Sequence, residues 1–82
     1  MSIHLRPVAS EKAVKLMDLE NTLVFETNRN SRKESLKREI ERLFNVKIAK
    51  IRTSVRANKK FAYVRFDAKN PAADLATRLG LI

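Results

Sequence analysis

The sequence predicts an α+β fold, an antiparallel β-sheet of three to four strands with helices packed on it, in the order (β)αβαββα. Three observations predict it: a serine-capped run with apolar residues at helical spacing, two runs of period-two alternation joined by a short turn, and a length that admits one small core. With 82 residues, the chain reads as a single domain over 1–82. Such a domain buries roughly 60% of the surface its extended chain exposes.

Each element has its own signal. "IHLR" is a short edge strand closed by Pro7. Ser10 is placed to cap a helix "EKAVKLMD" whose Ala13, Val14 and Met17 share a face. "NTLVFET" alternates at Leu23, Phe25 and Thr27 among β-branched neighbours and reads as a strand. Ser31 and Glu34 have capping-box spacing ahead of Leu36, Ile40, Leu43 and Phe44, so a second helix follows and ends near Asn45. "VKIAKIRTSVR" changes phase: Val46 and Ile48 are apolar at even positions, whereas Ala49, Ile51, Thr53 and Val55 follow at odd ones. A bulge near Ile48 or Ala49 reconciles the two halves of one long strand. "RANKK" turns into "FAYVRF" as an antiparallel hairpin. Asn70, Pro71 and Gly80 bracket a last helix with Leu75 and Leu79 on one face.

Charge is the most uneven property of the chain. The formal charge is +9, from 18 Lys plus Arg against 9 Asp plus Glu. Residues 29–60 hold twelve cations against Glu34, Glu39 and Glu41, so the whole surplus sits in that segment. On the long strand, Lys50, Arg52, Ser54 and Arg56 point away from Ile51 and Val55, about 6.6 to 6.8 Å apart. That spacing is of the order of phosphate spacing along a nucleic acid, and Lys59 and Lys60 are expected to extend the stripe around the turn. Lysines on an exposed strand also guard a sheet edge. A stripe without acids that coincides with the chain's entire surplus favours a phosphate-binding face. On the second helix, Glu34 can pair with Arg38 and Lys37 with Glu41.

Enzymatic readings lack parts. There is no Cys, His4 is the single histidine and Gly80 the single glycine, so no nucleophile–base pair, thiolate metal site or phosphate-cradling loop can be assembled. No cofactor and no small-molecule substrate is expected. The absence of a signal-type apolar run and of any bilayer-length segment predicts a soluble, cytoplasmic protein without membrane insertion. An alternative within RNA binding is a single-stranded RNA-binding module like the RNA-recognition motif. "KKFAYVRF" fits that motif's aromatic signature except for Lys60 in place of glycine, once Tyr63 stands for Phe. Against it, the motif needs a fourth strand after its second helix, where this chain ends in "LGLI", and it has no use for an N-terminal helix.

"RPVASEKA" (6–13), "LFNVKIAKIRT" (43–53), "KKFAYVRF" and "LATRLGLI" together resemble, in order and spacing, the family of the twenty-third universal protein of the large ribosomal subunit. The resemblance covers essentially the whole chain. It implies an α/β/α sandwich that binds large-subunit rRNA near the peptide exit tunnel, beside neighbouring ribosomal proteins, and helps form a docking platform for nascent-chain factors. By motif position it implies RNA contacts at Arg6, Ser10 and Lys12 in the N-terminal signature, at Lys33 and Lys37 on the central helix, and at Lys50, Thr53 and the hairpin cations Arg52, Arg56, Lys59 and Lys60. Glu11 matches a position where family members dock a ribosome-associated chaperone. "RANKK" is far shorter than the hairpin loop of bacterial members, so the resemblance is to the archaeal and eukaryotic form. That form implies a signal-recognition particle or membrane translocon as the docking factor. Tyr63 either packs beside the stripe or stacks on an unpaired base.

Overall fold

A computed structural model describes residues 5–78. The order is β1 (Leu5–Pro7), α1 (Glu11–Glu20), β2 (Thr22–Thr27), α2 (Lys33–Phe44), β3 (Ile48–Arg56), β4 (Lys59–Phe66) and α3 (Ala72–Arg78). His4, Leu79 and Gly80, to which the sequence assigns an edge-strand position and a helix end, lie outside the described residues. The four strands form one antiparallel sheet in the order β1-β2-β4-β3.

Strand alternation divides the side chains into two layers. On one face, Leu23, Phe25, Ile48, Ala62, Val64 and Phe66 meet Leu36 and Ile40 from α2 and Ala72, Leu75 and Ala76 from α3. These side chains exclude water almost completely, and each large one contributes roughly 1.5–3 kcal/mol. Phe44 closes one side of this core, its ring 6.4 Å from that of Phe25. The opposite face is covered only in part. Val24 alternates with Leu23 and Phe25 and so belongs to this second face, yet it is 6% exposed because α1 lies over it with Ala13. Met17 reaches from α1 into the main core. The result is an α/β/α sandwich with two helices on one face and one helix over the β2 strip of the other.

Helix ends follow the sequence with one exception. The Ser10 hydroxyl accepts from the Ala13 N–H at 3.1 Å, and α1 stops at Asn21 in the left-handed region (φ 52). Likewise α2 stops at Asn45 (φ 53). Asn tolerates this conformation better than other residues with a Cβ. The capping box at Ser31 does not form. Its hydroxyl faces the Thr27 hydroxyl at 3.3 Å and its N–H donates to the Asn28 carbonyl, so the helix begins after Arg32, which supplies no side-chain cap. Val14 is also turned outward, and Leu43 is 54% exposed; the α2 face that reaches the core consists of Leu36, Ile40 and the half-buried Phe44.

The phase change in the long strand is a bulge. Ile48 pairs with Phe66 and Lys50 with Arg65, which leaves Ala49 as the extra residue. Glu41 anchors the strand start by accepting from the Ile48 N–H at 3.0 Å. It therefore does not pair with Lys37, and Glu34 does not pair with Arg38; among the described residues the close ion pair is Arg42 with Glu39. The hairpin closes through Ala57 and Asn58 alone, both at positive φ (50 and 64), as a two-residue turn of type I′ whose twist matches the strands.

Asn21 joins the layers. Its Nδ2 donates to the carbonyls of Phe66 (3.1 Å), Asp67 (3.2 Å) and Asn70 (3.3 Å), while its Oδ1 accepts from the Ala72 N–H at 2.6 Å. One side chain thus caps α3, holds the loop from β4 to α3 and ends α1. Asn21→Ala is expected to lose roughly 2–4 kcal/mol, combining a lost cap, stranded carbonyls and the left-handed penalty. Asn45→Ala incurs only the last and should lose about 1–2 kcal/mol. Urea denaturation of both variants tests this, and equal losses would remove Asn21 from its central position.

Candidate nucleic-acid interface

The second face of the sheet, where α1 does not reach, carries the stripe. Cross-strand register arranges it in rows: Lys59 beside Arg56; Arg6, Glu26, Phe61 and Ser54; Val24, Tyr63 and Arg52; Thr22, Arg65 and Lys50. Lys50, Arg52, Arg56, Lys59 and Arg65 are all exposed. Five cations therefore share one open face with two half-buried aromatic rings. The helix adds a sixth, since Lys12 lines a cleft with Leu16, Arg52, Ser54 and Tyr63. Residues 40 positions apart in sequence are brought together here because α1 runs alongside β2.

Arg56 organises the aromatic pair. Its guanidinium carbon lies 5.2 Å from the centre of the Phe61 ring, and its Nη2 donates to the Tyr63 hydroxyl at 2.8 Å. A cation over a ring face at an exposed site contributes about 0.5–1 kcal/mol. The Tyr63 ring lines two clefts, one shared with Lys12 and Leu16, the other with Glu20, Thr22, Lys50, Arg52 and Arg65.

Not every residue that the sequence singles out joins this face. Lys60 pairs with Thr27 and Val55 and so points to the helix side, where its Nζ donates to the Ser31 carbonyl. The expectation that it extends the stripe is corrected by strand parity: across a two-residue turn only Lys59 stays in phase with Arg56. Thr53 stands opposite Ala62, half-buried and in phase with the core face, although it also lines the cleft between Lys12 and Tyr63. Lys33 and Lys37 are exposed on α2, in the layer behind the sheet. Arg6 shares the face with the stripe, separated from it by Glu26. The Ser10 hydroxyl is occupied by its cap, and Glu11 lies exposed in the first turn of α1. Two residues were missed. Arg65 carries its signal in the alternation Phe61, Tyr63, Arg65, whereas Glu20 has no sequence signal, because only the packing of α1 brings it to the cations.

The model of the family described as ribosomal protein L23 matches residues 2–75. The chain belongs to that family. It is 41% identical over 78 residues to the large ribosomal subunit protein uL23 of Tetrahymena thermophila, an alignment covering 93% of this chain and 51% of the relative. The chain thus spans about half the length of the curated relative it matches. The match covers both α1 with its N-terminal approach and the cationic β3–β4 hairpin, which the fold sets side by side.

The geometry separates two sets of cations. Replacing Lys50, Arg52 and Arg56 by Ala should lower the slope of log K against log salt for an rRNA fragment by roughly two to three, with the fold retained. Replacing Lys33, Lys37 and Lys60 should change that slope by less. Fragment-binding titrations across a salt series measure both, and equal reductions would show that the open face is not the phosphate-binding one.

Proposed function

We propose that this chain is a structural component of the large ribosomal subunit that binds large-subunit rRNA through the open face of its sheet. The observation that carries the reading is the convergence of Lys12 with Lys50, Arg52, Arg56, Lys59 and Arg65 on that face, in a chain whose family consists of ribosomal proteins. Cations on a rigid sheet meet phosphates without first being ordered, so less conformational entropy is lost on binding. The chemistry is that of a scaffold: charge neutralisation and positioning, with no bond made or broken. Localisation to cytoplasmic ribosomes, contact with neighbouring ribosomal proteins and a site near the peptide exit tunnel follow from the same reading.

The N-terminal signature serves two directions. Lys12 faces the cleft over Arg52, and Glu11, one residue earlier and about 100° around the helix, faces outward. Glu11 is our candidate for docking a nascent-chain factor such as a signal-recognition particle or translocon. Lys12→Ala is expected to weaken binding of an rRNA fragment, whereas Glu11→Ala leaves it unchanged or slightly tighter. Parallel titrations at two salt concentrations check this, and a loss for Glu11→Ala matching that for Lys12→Ala would reverse the assignment of Glu11.

A second reading, binding of single-stranded RNA in the manner of an RNA-recognition motif, gains support from the placement of Phe61 and Tyr63 on a central strand of a four-stranded sheet. Strand β1 occupies the edge beside β2 and supplies the fourth strand of the sheet. Against this reading, α1 covers the β2 strip and Arg56 lies over Phe61. Co-sedimentation of the protein with large ribosomal subunits through high salt is the expected result. Tight binding to an unstructured oligonucleotide that is abolished by Phe61→Ala with Tyr63→Ala, at about 1 to 3 kcal/mol per stacked base, would favour the second reading.

A further inference from the structure

Glu20 is a carboxylate set among cations. It lines a polar cleft with Thr22, Lys50, Arg52, Tyr63 and Arg65, on the face that carries the cations of β3 and β4; the other carboxylate of that face, Glu26, stands in the next row but one, beside Phe61. Among the described residues no Lys or Arg nitrogen approaches its carboxylate within 4 Å, and its side chain makes no hydrogen bond. Its backbone is nevertheless fixed. The Thr22 hydroxyl donates to the Glu20 carbonyl at 2.9 Å, and the next residue is the left-handed cap Asn21, held by four side-chain hydrogen bonds. Beside it the Tyr63 ring is steadied by Arg56 through its hydroxyl.

A polyanion alone does not explain this arrangement, because a free carboxylate in a phosphate-binding face opposes the ligand. A ligand that carries both a phosphate and a pair of N–H donors would use every group present. Among the nucleobases, guanine offers two adjacent donors, N1–H and the N2 amine, spaced to meet both oxygens of one carboxylate. Adenine and cytosine present a single exocyclic amine, and uracil a single ring N–H. We infer that the cleft between Glu20 and Tyr63 binds an unpaired guanine of the RNA, with its base edge on the Glu20 carboxylate, its ring against Tyr63 and its phosphates on Lys50, Arg52 and Arg65. The inference rests on the rRNA-binding reading and adds to it one base-specific position. It also gives a different role to each sign of charge in the cleft: the cations fix register on the backbone, and the acid reads a base.

The test uses the 82-residue chain with a large-subunit rRNA fragment. A dicarbonyl reagent that modifies guanine at N1 and N2 is applied to the free fragment, to its complex with the wild type and to its complex with Glu20→Ala. One unpaired guanine should be protected by the wild type and regain its reactivity with Glu20→Ala, while hydroxyl-radical protection of the backbone is kept by both. Changing that guanine to adenine should weaken wild-type binding roughly tenfold and leave Glu20→Ala unaffected. If every guanine protected by the wild type stays protected with Glu20→Ala, or if no guanine is protected while the backbone is, the base assignment is overturned and the rRNA reading stands. Failure of the wild type to protect the backbone at all overturns the rRNA reading, and the guanine site with it.

Discussion

The side chain of Asn21 is the point at which the separate layers of this domain become one structure. A residue that ends α1, starts β2, receives the end of β4 and caps α3 fixes the position of four elements at once. The backbone takes part as well: the Asn21 carbonyl accepts from the Phe66 N–H at 3.1 Å. Because α1 is set by this junction, so is its lean across β2, and with it the approach of Lys12 and Glu20 to the cations of β3 and β4. The basic face is thus built on a neutral amide some distance from most of its charges. A small domain, with little apolar area to bury, gains much of its definition from such junctions.

The electrostatics follow from how the sheet is covered. The face under α2 and α3 is dry and apolar, and the cations of α2 are left on the far side of that core. The other face is shielded only along β2, so the cations of β3 and β4 remain in water. Arg56 is the exception among them, since it is engaged with both Phe61 and Tyr63. It holds two rings in place and keeps its charge at the surface, a combination suited to the planar guanidinium and unavailable to lysine.

Much of this was legible in the residues because local chemistry decided it. Ser10 before an amphipathic run is a cap wherever it occurs, and the change of phase at Ile48 and Ala49 admits a bulge and little else. The errors lie where a distant partner wins. Ser31 has the spacing of a cap, yet Thr27 takes its hydroxyl. Glu41 has the spacing of an ion pair, yet the Ile48 N–H takes its carboxylate. Consecutive strand residues always face opposite ways, and the two-residue turn puts Lys59, not Lys60, on the face of Arg56. Asn21 reads in sequence as no more than the start of the strand segment "NTLVFET", because its four side-chain contacts all lie at residues 66–72. Of the interface, the β3 stripe was readable from strand alternation alone, whereas the contributions of Arg65 and Glu20 depend on register and helix packing.

The connectivity of the sheet has a consequence for the order of events during synthesis. The N-terminal strand and helix leave the ribosome first, but β2 pairs on its inner side with β4, and Asn21 finds its partners 45 to 51 residues further along the chain. The first third of the molecule therefore cannot complete its core while it is being made. By contrast, the β3–β4 hairpin closes across two residues and can form in about 1–10 μs once both strands have emerged. Folding of the whole must wait for the final helix, and until then β2 exposes Leu23, Val24 and Phe25 to water. Through that interval almost the whole domain has been made, and nearly all of its positive charge is present before there is a fold to display it on.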